Sequence, residues 1–156
     1  MTEFTSLTVT IDREVHMHEE ILRRFNDQDP SHYDTVVRDE GDGTRKLKGG
    51  ALRWDDDGCS VYRSRILLIL GLPKDCIATD AHPAVARTSR ALIESFTSGL
   101  ADTAVRPEFA VVADPLEPGE PYDPAHTLIQ PMAEYPSKTK RRTAANDLAR
   151  SAFSLL

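Results

Sequence analysis

The most apolar segment of this 156-residue chain is Ser60-Val61-Tyr62-Arg63-Ser64-Arg65-Ile66-Leu67-Leu68-Ile69-Leu70-Gly71-Leu72. Its consecutive aliphatic residues, Ile66 to Leu70, cannot all face one side of a helix or strand, so we expect them to be covered on every side and to form the centre of the core. The residues from Cys59 to Ser64 have a strand-like composition. The part that follows fits either a continued strand or a short helix. Gly71-Leu72-Pro73 favours the helix, because this order is typical of a helix end.

Length and charge limit the class of protein. A chain of 156 residues is sized for one domain, which we place at residues 1–156. The net charge of -6 argues against a general nucleic-acid binder, because phosphate contacts need a positive surface. No apolar run reaches the roughly 18 residues that span a bilayer, and Met1-Thr2-Glu3-Phe4 lacks the start of a secretory signal. We therefore predict a cytoplasmic protein that does not bind membranes.

Elsewhere the spacing of apolar residues predicts further strands and helices. The predicted strands are residues 7–11, 32–38, 108–113 and 126–130, with 44–54 returning from 32–38 as a hairpin. The predicted helices are residues 12–25, 83–100 and 139–156, each with apolar side chains at helical spacing. His18 is expected at the edge of the core on the first helix. Together these elements predict one α+β domain with a largely antiparallel sheet and two or three packed helices.

The strongest local pattern for chemistry is Asp123-Pro124-Ala125-His126, which lies between a proline-rich loop and a predicted strand. An imidazole oriented by a carboxylate is the usual unit of general acid–base catalysis, so Asp123 and His126 are candidate catalytic residues. In the alternative, which we favour, Asp123 caps the turn and His126 bonds to the backbone and ties the loop to the sheet. The motifs of the common hydrolases, nucleotide-binding loops and zinc proteases are not found in the sequence.

Tyr62 and Arg63 are two further candidate site residues. With His32-Tyr33 they resemble the Arg, His and Tyr residues that hold a dinucleotide in ADP-ribosyl-transferring folds, although their spacing is not specific. A guanidinium as close to the core as those of Arg63 and Arg65 needs a carboxylate partner or a bound anion. We favour an internal ion pair.

Lys138, Lys140, Arg141 and Arg142 form a basic cluster at the start of the last predicted helix. The helix dipole already places partial positive charge there, so each cation at this end costs about 0.3–1 kcal/mol. Two kinds of compensation are open. One is the acidic surface elsewhere, such as Asp55-Asp56-Asp57, and the other is a bound anion, nucleic-acid backbone or acidic partner protein. The cluster is therefore the candidate binding site.

Metal and cofactor sites are not predicted. The five histidines are scattered, and only His16 and Glu20 have the spacing of one helix face. Cys59 and Cys76 are too few for a disulfide framework or a zinc ribbon, so we expect two free thiols that pack as small core residues.

The order of several short segments resembles a family of small bacterial proteins of unassigned function. These segments are Gly49-Gly50-Ala51-Leu52, Ser60-Val61-Tyr62, Asp114-Pro115, Pro124-Ala125-His126 and the basic helix that begins near Ser137. The chain departs from the family pattern at several positions. It has Gly49 and Gly50 in place of two serines, Leu52 in place of Phe, Cys59 in place of Leu and Thr127 in place of Ala. The resemblance implies a single α+β domain and a role for His126, and it implies no activity.

The absence of a complete catalytic set in the sequence favours a noncatalytic cytoplasmic partner protein, such as one component of a bacterial multi-gene cassette. The first alternative is a small enzyme or a nucleotide- or anion-binding domain that uses His126, Asp123, Tyr62 and Arg63. The second alternative, which is not favoured, is nucleic-acid binding through the basic cluster.

Overall fold

An antiparallel sheet organises the computed structural model, which describes residues 14–28, 36–102, 105–117 and 119–156. Its strands lie in the order β6-β7-β4-β1-β5-β8, and every neighbouring pair is antiparallel. The strands of this sheet are β1 (Glu20–Phe25), β4 (Cys59–Arg63), β5 (Ala84–Ser89), β6 (Phe109–Ala113), β7 (His126–Pro131) and β8 (Ser154–Leu155). A separate hairpin pairs β2 (Val37–Asp39) with β3 (Arg45–Leu47).

Three α-helices and several 3-10 turns complete the described part of the chain. The helices are α1 (Ser64–Ile69), α2 (Arg90–Ser95) and α3 (Lys138–Ala152). The 3-10 turns cover Gly49–Ala51, Lys74–Ile77 and Asp123–Ala125. The predicted α+β class with a largely antiparallel sheet is therefore confirmed. Across the described residues, none of the helices combines the length and the apolar character that a membrane span requires.

The segment from Ser60 to Leu72 forms β4 and then α1, as the helix-end signal predicts. Leu72 N–H donates to the Leu67 carbonyl at 2.8 Å, and Gly71, at φ 74°, donates to the Leu68 carbonyl at 3.0 Å. These two bonds close the helix end, where glycine adopts a positive φ without strain. The expectation that the whole aliphatic run is covered is wrong, because Leu68 is 77% exposed on the outer face of α1.

The sheet carries a hydrophobic cluster on each face. Ile21 and Val61 belong to the larger cluster, which α3 covers, whereas the neighbouring Leu22 and Tyr62 belong to the cluster that α1 covers. This follows from the alternation of side chains along a strand. The larger cluster, and not the run from Ile66 to Leu70, is therefore the centre of the core.

The predicted helices over 12–25 and 83–100 are wrong. Residues 20–25 form β1, and residues 84–89 form β5, which pairs with β1 from Glu20↔Ser89 to Phe25↔Ala84. Both strands are covered on both faces, so adjacent residues are buried and the apolar pattern no longer alternates. Only Arg90–Ser95 is helical, and His18 is exposed instead of lying at the edge of the core.

The remaining element predictions agree more closely with the structure. The strands over 59–64, 108–113 and 126–130 and the hairpin turn are confirmed within a residue or two, and β2 begins within the predicted 32–38 segment. The predicted return segment over 44–54 is a strand only at Arg45–Leu47, after which the chain turns at Gly49–Ala51. The final helix is confirmed to Ala152, after which the chain extends into β8 beside β5. The predicted strand over 7–11 lies outside the described residues.

A side chain accepts a hydrogen bond from the outer edge of β6. Val111 N–H donates to Glu94 Oε2 at 2.9 Å, and Arg90 holds the same carboxylate oxygen at 3.1 Å. Helix α2 thus supplies a hydrogen-bond acceptor to a strand edge that, among the described residues, has no neighbouring strand in the sheet.

Candidate functional site

His126 is buried at the start of β7 and bonds through both ring nitrogens. Its Nδ1 lies 2.9 Å from the Asp114 carbonyl oxygen and 3.2 Å from Asp114 Oδ2, and its Nε2 lies 2.9 Å from Ser60 Oγ. Both groups at Nδ1 can only accept, so in the neutral ring Nδ1 carries the hydrogen. Nε2 is then the acceptor, and the Ser60 hydroxyl donates to it. The result is a hydrogen-bonded chain of a hydroxyl, an imidazole and a backbone carbonyl, with the Asp114 carboxylate 3.2 Å from the same ring nitrogen.

Asp123 is used in a different way. Its Oδ2 accepts from the backbone N–H groups of Gly119 at 2.9 Å and Glu120 at 2.7 Å, so the carboxylate caps the turn before the strand. Asp114, not Asp123, is the acid beside His126. The sequence pattern missed Asp114 and Ser60, because their distances from His126 along the chain are 12 and 66 residues and only the sheet brings them together. The acid–base role of His126 stays a prediction.

His126→Ala is expected to lower the free energy of unfolding by about 1–3 kcal/mol, the cost of leaving hydrogen-bonding groups without a partner. The ring joins the proline-rich loop, through Asp114, to β4, through Ser60. Denaturant melts of the two proteins give the difference. Matched midpoints would show that the ring does not fasten the loop.

Tyr62 forms the wall next to His126. Its ring meets the His126 ring edge-on at 5.6 Å and the Tyr122 ring edge-on at 5.3 Å. The Arg24 guanidinium lies 5.4 Å from the Tyr62 ring centre and 5.5 Å from that of Tyr122, which is the range of a cation–π contact. Burial raises the pKa of Tyr62, so its hydroxyl stays protonated at neutral pH.

Arg63 faces the opposite side of the sheet and is fully engaged with the protein. Its Nε and Nη2 bond to the two carboxylate oxygens of Glu19, and Nη2 also donates to the Glu14 carbonyl at 3.2 Å. The predicted internal ion pair is therefore present, and Arg63 does not share a site with His126. Arg65 is exposed on α1.

A cleft of about 790 Å³ opens between the first turns of α3 and the segment that joins β3 to β4. The residues that line it are Lys48, Gly49, Gly50, Leu52, Trp54, Asp55, Asp56, Phe109, Pro131, Tyr135, Lys138, Arg141, Arg142, Ala145 and Asn146. Its volume falls in the usual range of ligand pockets, about 300–1,000 Å³. Its apolar wall includes Trp54 and Phe109, whose rings lie 5.6 Å apart.

Positive charge gathers in this cleft although the chain carries a net charge of -6. Lys48 and three members of the basic cluster line it, against the two carboxylates of Asp55 and Asp56. No carboxylate in the described part of the chain forms an ion pair with the basic cluster. The start of α3, where the Ser137 hydroxyl accepts from Lys140 N–H at 3.1 Å, adds the positive end of the helix dipole.

Hydrogen bonds hold the two walls of the cleft in place. Gly49 N–H donates to Asn146 Oδ1 at 2.7 Å, and a Cβ at Gly49 would lie only 2.5 Å from that oxygen, so glycine permits this contact between the turn and α3. On the other side Tyr135 donates its hydroxyl to Glu108, which also accepts from Ser98 N–H at 3.0 Å. Burial and the Glu108 carboxylate raise the pKa of Tyr135, which keeps this donor protonated.

The described residues contain neither a disulfide nor a cluster of metal-binding side chains. Cys59 is buried, Cys76 is half-buried, and both are free thiols. Burial raises the pKa of both thiols and so disfavours the reactive thiolate. Within the described ranges no three His, Cys, Asp or Glu side chains are gathered as a metal site.

Comparison with protein-family models, curated proteins and solved structures finds no match to this chain. The resemblance to a small bacterial family therefore stays an expectation. Its segments nevertheless meet in two places. Ser60 contacts His126 on one face of the sheet, and Gly49-Gly50 faces the basic start of α3 across the cleft.

Proposed function

We propose that this protein is a cytoplasmic partner protein, and that its cleft binds an acidic segment of another protein. The observation that carries the proposal is the gathering of Lys48, Lys138, Arg141 and Arg142 around an aromatic wall in a chain of net charge -6. Aromatic and Arg side chains are enriched where proteins bind one another, because they give large contact areas and directed hydrogen bonds.

The lining of the cleft supports binding in preference to a reaction. Its lining residues include no His, Cys or Ser, so the commonest nucleophile–base pairs, Ser–His and Cys–His, are not found in the cleft. Asp55 and Asp56 at one side of the cleft would repel the phosphates of a continuous nucleic-acid backbone. A peptide can bond to the same carboxylates through its N–H groups and cationic side chains. An acidic peptide with an apolar residue is therefore a better fit to the cleft than a nucleic acid.

Tryptophan fluorescence can test this binding, because Trp54 is the only tryptophan of the chain and lines the cleft. A synthetic peptide of glutamate residues around one phenylalanine is titrated into the protein, with its glutamine counterpart and a single-stranded oligonucleotide as competitors. We expect the acidic peptide to change the Trp54 emission, with an affinity that falls as salt is added. Tighter binding of the oligonucleotide would overturn the proposal in favour of nucleic-acid binding.

Replacing Lys140, Arg141 and Arg142 with Gln is expected to lower the affinity for the acidic peptide at least about tenfold, which is the effect of losing a charge-assisted contact. The same triple variant should keep or slightly raise the thermal midpoint, because it removes cations from the positive end of α3. A large loss of stability would instead show that these cations belong to internal ion pairs.

A matched control replaces Arg38, Arg65 and Arg87 with Gln. These three cations are exposed and do not line the cleft, so this variant has the same change in net charge. We expect it to retain the affinity of the wild type within a few-fold. Equal weakening in both variants would mean that the peptide responds to overall charge and not to the cleft.

A further inference from the structure

We propose that Ser60 is a nucleophile that accepts an acyl group from an ester, with His126 as its general base and Asp114 as a positioning residue. This inference goes beyond the proposed binding function and concerns the other face of the sheet. Trp54 and Phe109, beside the cleft, pack with the larger cluster. Tyr62, two residues after Ser60 on β4, belongs to the cluster on the opposite face of the sheet. Side chains two apart on a strand share a face.

The first observation is the hydrogen-bonded chain itself. A serine hydroxyl becomes a useful nucleophile when a neighbouring base can take its proton, and the base in turn is oriented by a third group. Ser60 Oγ and His126 Nε2 are 2.9 Å apart, within reach of a proton transfer. Nδ1 is held at the other side by the Asp114 carbonyl at 2.9 Å and its carboxylate at 3.2 Å. These contacts fix the tautomer in which Nε2 is free to accept a proton.

The second observation is access from solvent. Ser60 is only half-buried, and on the same face Val112 is 42% exposed and the Asp114 side chain 46% exposed. His126 is itself buried, with its ring packed against Tyr62, whereas Ser60 beside it is partly exposed. A substrate can therefore approach the hydroxyl without first displacing α1.

The reaction conserves atoms and charge. Ser60 Oγ forms a bond to the ester carbonyl carbon while its proton passes to His126 Nε2. The carbon–oxygen bond to the leaving alcohol then breaks, and the alcohol takes the proton from Nε2. The products are acyl-serine and free alcohol, and the imidazolium that forms between the two steps is stabilised by the Asp114 carboxylate.

A fluorophosphonate probe tests the nucleophile directly. Attack by Ser60 forms an oxygen–phosphorus bond and releases fluoride, while the serine proton passes to His126. We expect one adduct per chain by intact mass spectrometry, with the modified peptide containing Ser60. Ser60→Ala should abolish it, and Ser95→Ala, which alters an exposed serine on α2, should not.

The role of the base is measured by the rate of labelling. His126→Gln should slow it at least about hundredfold, the lower range of a general-base contribution. Asp114→Asn should slow it less, because its carbonyl still holds Nδ1, and thermal midpoints show that each variant is folded. No adduct at Ser60 in the wild type would overturn the proposal, and so would an unchanged labelling rate in folded His126→Gln. Peptide binding at Trp54 is measured on Ser60→Ala in parallel, so failure here leaves the cleft proposal intact.

Discussion

A chain that ends at Ser137 is expected to be unfolded or aggregated, because α3 covers the larger hydrophobic cluster. Its own residues Leu148 and Ala149 are completely buried against this cluster, and Phe153 and β8 extend the same contacts to the edge of the sheet. Truncating one buried leucine costs about 2–5 kcal/mol and one buried phenylalanine about 3–5 kcal/mol, so the loss of Leu148 and Phe153 together is comparable to the usual stability of about 5–15 kcal/mol. Circular dichroism and thermal melts of the truncated and full chains measure the effect.

Two single substitutions serve as controls for the truncation. Leu148→Ala should lower the stability by about 2–5 kcal/mol, whereas Asp147→Ala, on the exposed side of α3, should change it by less than about 0.5 kcal/mol. A truncated chain that melts within a few degrees of the full chain would show that α3 is an appendage and not part of the core.

The second large effect is expected at the ion pair between Glu19 and Arg63. Both side chains are 3% exposed, and Glu19→Gln removes the charged acceptor of the Arg63 Nε and Nη2 bonds inside the protein. Breaking one side of a buried pair costs about 3–5 kcal/mol. Urea melts should show this loss. Arg150→Gln breaks the exposed pair with Glu40, which spans 3.3 Å, and should cost less than about 1 kcal/mol.

A double variant compares the loss of one partner with the replacement of the whole ion pair. Glu19→Leu with Arg63→Met removes both charges, and we expect it to be more stable than Glu19→Gln alone, since replacing a buried ion pair by apolar side chains costs less than removing one partner. A cost below about 1 kcal/mol for Glu19→Gln would contradict the account, because it would mean that the guanidinium finds water or another acceptor.

Local patterns predicted the parts of the fold that depend on neighbours in sequence. The end of α1 at Gly71, the strands β4, β6 and β7, and the stripe of α3 all follow from residues within one or two turns. Strands β1 and β5 could not be found in this way. They are buried on both faces, so Ile21 and Leu22 are adjacent and apolar, which is the pattern that a helix also shows.

The candidate sites show the same limit. His126 and the basic cluster were found from local composition, but their partners are set by the sheet. Asp114 and Ser60 reach His126 only through the pairing of β7 with β6 and β4, and Trp54 reaches the start of α3 only through packing. The exposure of Leu68 could not be foreseen either, because an isolated aliphatic run does not reveal which of its sides lacks a neighbour.

The bond from Val111 N–H to Glu94 also bears on self-association. An outer strand with available N–H groups is a template on which a second molecule can add a strand and begin a fibril. Glu94 occupies one of these groups on β6, and Arg90 anchors the carboxylate there. A second copy must therefore displace a charged side chain before it can pair at this position. Detachment of α2 would therefore free this N–H group and leave it available for pairing with a second chain.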